Sequence, residues 1–274
     1  MPVDDQSSPR ASFSQLHRQP LPLLLPNAWD VPSALMFQEA GYLAIGTTSF
    51  GVASSAGRPD GGRATREPNL NLAGALASLA SYVSMDIEDG YSDDADEVSA
   101  YVETLVRHGI AGVNIEDSTA ERLIPGRDHA AKVAAIKRRT PDVFVNARVD
   151  TYWLDQDAHP DATLSRAKTY VDAGADGIFL PGLSDSEVLR RLTSAVSVPV
   201  NILPIPGLSL AELATLGVRR VSTGSLPYRA ALAAAAKVAT AVREGLTPPD
   251  AYPYAEFQDR LVDHDQHRAP GASG

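Results

Sequence analysis

The sequence predicts a closed eight-stranded parallel barrel wrapped by helices, the (β/α)8 TIM-type architecture, with an extra C-terminal helix. Three observations predict it. Eight short, near-continuously apolar runs read as strands buried on both faces. Each run is followed by a stretch with helical patterning. Glycines recur where a helix pattern ends and the next strand begins, at Gly41, Gly109, Gly174 and Gly217, the place for a left-handed residue that closes a helix. Strands that alternate with helices require a parallel sheet, and eight such units close it.

Taken in order, the strands are expected at 22–25, 43–46, 83–87, 112–115, 143–147, 177–180, 198–203 and 220–223. The helices that follow them are expected at 31–39, 72–82, 96–107, 129–139, 161–172, 185–195, 209–216 and 227–243. Ser209 with Glu212, and Ser184 with Glu187, have the spacing of capping boxes that open helices. A ninth helix is expected near 253–262, where Tyr254, Phe257 and Leu261 make one apolar stripe that could pack on its own barrel or on a neighbouring subunit. Residues 1–12 read as a loose arm, 13–246 as the barrel, and 247–274 as the terminal helix and tail. An open doubly wound sheet is the competing fold. It would usually carry a glycine-rich nucleotide loop, and none appears.

Composition narrows the function. The 274 residues are 44% hydrophobic and 21% charged, fitting one globular unit. The net charge of −10 argues against a nucleic-acid partner. Without cysteine there is no disulfide framework, no thiolate metal site and no Cys nucleophile. No run of eighteen apolar residues exists, and the N-terminus lacks the apolar core of a signal peptide, so a cytoplasmic protein with no membrane segment is expected.

In a barrel of this type the active site gathers at the C-terminal ends of the strands. Strand two ends in Thr47-Thr48-Ser49. Strand three ends in Asp86-Ile87-Glu88-Asp89-Gly90-Tyr91, and strand four in Asn114-Ile115-Glu116-Asp117-Ser118. Asp86, Glu88 and Glu116 alternate with apolar residues and can point into the mouth. Carboxylates this crowded need a cation or a proton between them. An all-oxygen set suits Mg²⁺ or Mn²⁺ and not zinc. Mg²⁺ would take one or two of them directly and keep several waters. Arg148, one strand over, is suited to a bidentate grip on a substrate carboxylate or phosphonate, or to a structural ion pair with Glu116. The twenty-residue stretch 50–69 reads as a lid loop carrying Asp60, which could reach the metal's water shell. His129 reads as an ordinary helix-start residue, and Tyr152 and Trp153 as packing aromatics.

These residues, with Leu25-Pro26-Asn27-Ala28-Trp29-Asp30, Gly57-Arg58-Pro59-Asp60 and Asn146-Ala147-Arg148-Val149-Asp150, resemble the isocitrate lyase / phosphoenolpyruvate mutase superfamily from about Phe13 to Leu246. The resemblance implies Mg²⁺ at Asp86, with Asp60, Glu88 and Glu116 in its inner or outer shell. It implies a substrate carboxylate on Thr47, Thr48 and Ser49, with Arg148 on the same ligand and Asn201 adding a contact. It implies chemistry at a C–C or C–P bond beside a 2-oxo acid, through an enolate held on the metal, and a homo-oligomer, dimer or tetramer, whose C-terminal helix is exchanged between neighbours.

The departures fall on the lid after strand four. Lyases of the superfamily carry Lys-Arg/Lys-Cys-Gly-His there, with Cys as general acid; here the segment is Thr119-Ala120-Glu121-Arg122-Leu123-Ile124-Pro125-Gly126-Arg127. The Lys and Asn-Ser lid of phosphonomutases is missing too. Glu121 or Tyr91 is the better replacement acid, because Arg does not readily give up a proton. Three readings follow: a Mg²⁺-dependent lyase or decarboxylase of a small 2-hydroxy or 2-oxo (di)carboxylate, a phosphonopyruvate-type mutase or hydrolase using Arg122 and Arg127, and a barrel that binds an oxo acid without turnover.

Overall fold

Parallel strands close into a ring in the computed structural model, which describes residues 9–267. Strand β1 is one extended run broken at Pro26, which has no N–H to give to a ladder. Its first part, Leu23–Leu25, pairs with the last strand through Leu23 and Arg220. Its second part, Asn27–Ala28, pairs with the second strand through Asn27 and Gly46. This shared strand closes the ring. The other strands are β2 (Ala44–Thr47), β3 (Tyr82–Asp86), β4 (Gly112–Glu116), β5 (Phe144–Arg148), β6 (Gly177–Phe179), β7 (Val200–Ile202) and β8 (Val218–Ser222), and neighbours pair in chain order. The eight-unit alternation is as the sequence predicts.

The helices are α1 (Pro9–Leu16), α2 (Val31–Glu39), α3 (Ser49–Ser55), α4 (Arg66–Leu76), α5 (Ala95–Arg107), α6 (Gly126–Arg139), α7 (Pro160–Asp172), α8 (Ser186–Ala195), α9 (Leu210–Thr215), α10 (Leu226–Arg243) and α11 (Tyr254–His267). Ser209 and Glu212 form the expected capping box on α9. The Ser184–Glu187 box does not form. Asp185, one residue on, caps α8 instead, its carboxylate accepting the Glu187 and Val188 N–H groups at 2.9 Å.

The expected lid over 50–69 is mostly helix. Thr48 opens α3 directly after β2, and α4 starts at Arg66 with Pro68 in its first turn, where proline is tolerated. The irregular part shrinks to residues 56–65. The helix expected at 72–82 accordingly ends at Leu76, leaving a short link into β3.

Expected arm residues 1–8 lie outside the described residues, while 9–12 open α1. This helix seals the N-terminal end of the barrel. Phe13 is 0% exposed and meets the Phe144 ring edge-on at 5.5 Å, and His17 stacks on Phe144 at 4.3 Å. At the other extreme, α10 buries only Tyr228 and α11 buries nothing; Leu232 and Val242 of α10 stand 55% and 64% exposed. Tyr252 and Arg260 tie the terminal segment to Glu39 of α2. No helix among the described residues is long and apolar enough to cross a membrane.

Candidate active site

The mouth is built where β2 and β3 end side by side. The Thr47 hydroxyl accepts the Asp86 N–H at 2.9 Å and fixes the two strand ends at one height. Thr48 opens α3, so the Ser49 N–H faces the Asp86 carboxylate at 3.3 Å. Asn114 of β4 donates to the other Asp86 oxygen at 3.4 Å and is itself held by Asn146 of β5 at 2.9 Å. Both contacts to Asp86 are long for hydrogen bonds, so its oxygens stay open to a stronger partner.

After β3 the chain turns sharply. Glu88, Gly90 and Tyr91 have φ of 48°, 89° and 64°. Non-glycine residues in this left-handed region are uncommon and gather at functional sites. Gly90 is also sterically required, because a Cβ there would stand 2.7 Å from the Val98 side chain. The turn presents Glu88 to the mouth, where it accepts the Arg63 N–H at 2.8 Å and the Thr65 hydroxyl. Arg63 also grips Asp89 and Asp93, so residues 56–65 are strapped to the β3 turn and carry Asp60 to the cavity.

Burial pushes the carboxyls of Asp60, Glu88 and Glu116 upward, Glu116 furthest, and the charge of Asp86 adds to each. Arg148 opposes the shift at Glu116. Four acids that repel in this way are relieved by a cation. Among the described residues no three carboxylate or imidazole groups converge tightly enough to enclose an ion alone. With Glu88 already engaged by protein donors, the donor set is all oxygen, of the kind that could hold a hard, hydrated ion such as Mg²⁺, and Asp86 is the carboxylate left most open to it.

Arg148 closes the mouth from β5. Its Nε meets Asp150 at 2.5 Å and its Nη1 meets Glu116 at 3.4 Å, and its guanidinium lies over Trp153 and Phe179 at 5.6 and 5.8 Å. Burial disfavours this cation, yet Asp150, Glu116 and Asp86 hold its pKa above the usual arginine value. Asp150 is in turn bonded by Ser118 at 2.5 Å and by Asp117, through the Asp150 N–H, at 2.8 Å. The ion pair with Glu116 and the exposure to the cavity coexist, so the two expected roles of Arg148 are compatible.

Thr47, Thr48, Ser49, Asp60, Asp86, Glu88, Glu116, Glu121 and Arg148 line one cavity of about 650 Å³. Two candidates do not join them. Tyr91 lies outside the cavity lining; its hydroxyl bonds Thr65 and Asn69, and burial raises its pKa well above the usual value. It supports the residues that hold Glu88 and the Asp86 carbonyl. Asn201 is buried against Ser222 in two mutual hydrogen bonds of 2.6 and 2.9 Å and does not line the cavity, so it is not placed as a substrate contact.

The segment after β4 is a small antiparallel hairpin, Ser118–Thr119 against Arg122–Leu123. Ala120 and Glu121 form its tip at φ 49° and 59°, and Glu121 borders the cavity. Arg122 and Arg127 do not; Arg127 pairs with Asp128. His129 is buried against Tyr170, away from the cavity. Trp153 lines the cavity beside Arg148, while Tyr152 does not.

Arg220, Ser84 and Arg229 also line the cavity, although they lie outside the strand-end motifs. The available signal was Arg220 itself, a charged residue inside a strand otherwise buried on both faces.

The family model described as phosphoenolpyruvate phosphomutase matches residues 13–243. An uncharacterised protein of Mycobacterium tuberculosis H37Rv is 59% identical over 254 residues, 93% of this chain and 97% of that protein. The 2-methylisocitrate lyase of Escherichia coli K12 is 30% identical over 206 residues, 70% of this chain and 69% of the enzyme. Among solved structures, phosphonopyruvate hydrolase complexed with oxalate and Mg²⁺ shares the fold at a TM-score of 0.82, with 23% identity, covering 95% of this chain and 96% of that one.

Proposed function

Because the chain belongs to the phosphoenolpyruvate phosphomutase family, we propose that it is a Mg²⁺-dependent carbon–carbon lyase or decarboxylase acting on a small 2-hydroxy or 2-oxo (di)carboxylic acid. One observation carries this reading: Asp86, framed by Asp60, Glu88 and Glu116, shares a single cavity with the Thr48–Ser49 backbone and Arg148. Acid cluster and carboxylate grip stand side by side. The similarity to a 2-methylisocitrate lyase supports the carbon–carbon class.

Asp86 would hold the ion, with Asp60, Glu88 and Glu116 oriented toward its waters. When bound there, Mg²⁺ supplies Lewis-acid stabilisation of negative charge that develops beside a carboxylate. Arg148 and the N–H groups that open α3 bind and orient the substrate carboxylate, which fixes the bond to be broken relative to the acids. Glu121 takes the place of the missing lid cysteine and delivers the proton at its carboxyl from the hairpin tip. The family's description favours the phosphoryl-transfer alternative, but Arg122 and Arg127, the arginines it would use, do not line the cavity. We also propose a homo-oligomer, in which a second copy covers the apolar face of α10 that one chain leaves open.

An NMR turnover screen tests the reading. Small oxo and hydroxy acids and phosphonopyruvate are incubated with and without Mg²⁺. Cleavage that requires Mg²⁺ and stops with EDTA is expected. Phosphate release from phosphonopyruvate would overturn the carbon–carbon assignment, and binding without any turnover would overturn catalysis.

A further inference from the structure

Below the acid cluster the barrel holds a second cationic group. Arg220 lies mid-strand in β8 and is 3% exposed, yet it lines the cavity. Its Nε and Nη1 atoms have no hydrogen-bond partner. Ser84 of β3 lines the same cavity at 1% exposure, and its hydroxyl is unpartnered as well. Inward-facing positions alternate along a barrel strand, so Ser84 stands one layer beneath Asp86. The depth of Arg220 is marked from both sides: its charge acts on Asp86 toward the mouth and on His17 at the sealed end.

A buried guanidinium without hydrogen bonds is costly, and so is an unpaired buried hydroxyl. Burial pushes the Arg220 pKa down to about 9, and only Asp86 works against the shift. Arg148, at the mouth, is also largely buried but is matched by two carboxylates. Arg220 is therefore a donor set without its acceptor, open to the cavity.

We propose that Arg220 and Ser84 form an anion subsite on the barrel floor that takes the second carboxylate of the substrate, while the first is held at the mouth by Arg148 and the start of α3. This rests on the functional reading above and sharpens it: the substrate is a dianion that reaches inward past Asp86. Selectivity for two carboxylates over one follows from the same geometry, because a monocarboxylate leaves Arg220 unpaired.

The test compares binding of 2-oxoglutarate and 2-oxobutyrate, by calorimetry, to the wild-type chain and to Arg220→Met and Arg220→Lys, each with and without Mg²⁺. Loss of a charged hydrogen-bonding partner is expected to weaken 2-oxoglutarate about 10- to 100-fold in Arg220→Met and to leave 2-oxobutyrate unchanged. Arg220→Lys restores part of the preference. The ligand-free Arg220→Met protein is expected to melt no lower than wild type, because a buried unpaired charge has been removed. Equal weakening of both acids, or none, would overturn the subsite, and so would a lower melting temperature with unchanged selectivity. The metal arms separate the two ideas: Mg²⁺-independent binding in every variant counts against the metal reading, while the difference between the two acids judges Arg220 alone.

Discussion

The two ends of the barrel solve opposite problems. At the N-terminal end, Phe13, His17, Phe144 and Tyr82 interlock in a small aromatic plug. At the C-terminal end, six carboxylates border one cavity, backbone angles enter the left-handed region at Glu88, Tyr91, Ala120 and Glu121, and Ser84 and Arg220 have polar atoms without partners. One end packs apolar rings; the other gathers charge around an open cavity. Substitutions at the two ends should therefore separate cleanly into those that alter turnover and those that alter folding.

The largest effect is expected at the mouth. Asp86→Asn keeps the shape of the side chain but removes the charge that would bind the ion. Turnover should fall by about 10³-fold or more, roughly 4 kcal/mol of transition-state stabilisation. Stability should change little, because lost repulsion with Asp60, Glu88 and Glu116 offsets lost attraction to Arg148 and Arg220. Paired kinetics and urea melts check this, and retained turnover would sink the metal assignment.

The mirror experiment is Phe13→Ala. Deleting a fully buried phenyl ring leaves a cavity at the plug and should cost about 3 kcal/mol in unfolding free energy, while the folded fraction keeps its turnover number. A change in substrate affinity with unchanged stability would show that the two ends are coupled. Between these extremes stands Glu121→Gln. If Glu121 supplies the proton, kcat should drop about 100-fold with little change in KM. An unchanged kcat would return Glu121 to a structural role at the hairpin tip.

The comparison also explains what the sequence made legible. Strands show as apolar runs because both of their faces are buried, and the mouth shows because Asp86, Glu116 and Arg148 interrupt those runs where strands end. The motif does not show that Tyr91 sits in a left-handed turn outside the cavity lining. Nor does the sequence show that Asn201 has a local partner, Ser222, on the neighbouring strand. Arg220 escaped notice for a sharper reason. Starting the last strand at residue 220 makes it a strand-edge charge, whereas the strand begins at Val218 and sets the guanidinium facing inward. Residues 50–55 read as loop because their Gly and Ser content masks a short helix that Thr48 starts.

The smallest effect expected is a pH dependence that belongs to the plug alone. Burial, with the Arg220 charge above it, lowers the His17 pKa to about 3, while the Phe13 carbonyl partly offsets the shift. An unfolded histidine titrates near 6.5. The unfolded chain therefore binds a proton that the folded chain refuses between these values. The neutral ring's contribution to stability is complete above about pH 6.5 and is lost progressively as pH falls toward 3. At pH 5 the loss from His17 is about 2 kcal/mol. In His17→Phe the ring stays stacked on Phe144 without a titratable nitrogen, so the drop in unfolding free energy between pH 7 and pH 5 should shrink by about that amount. His129, buried and likewise lowered to about 3, remains as an internal reference. Urea midpoints at the two pH values decide it: an equal drop in variant and wild type would mean that His17 is protonated within the folded plug, and that this end of the barrel is less dry than its packing implies.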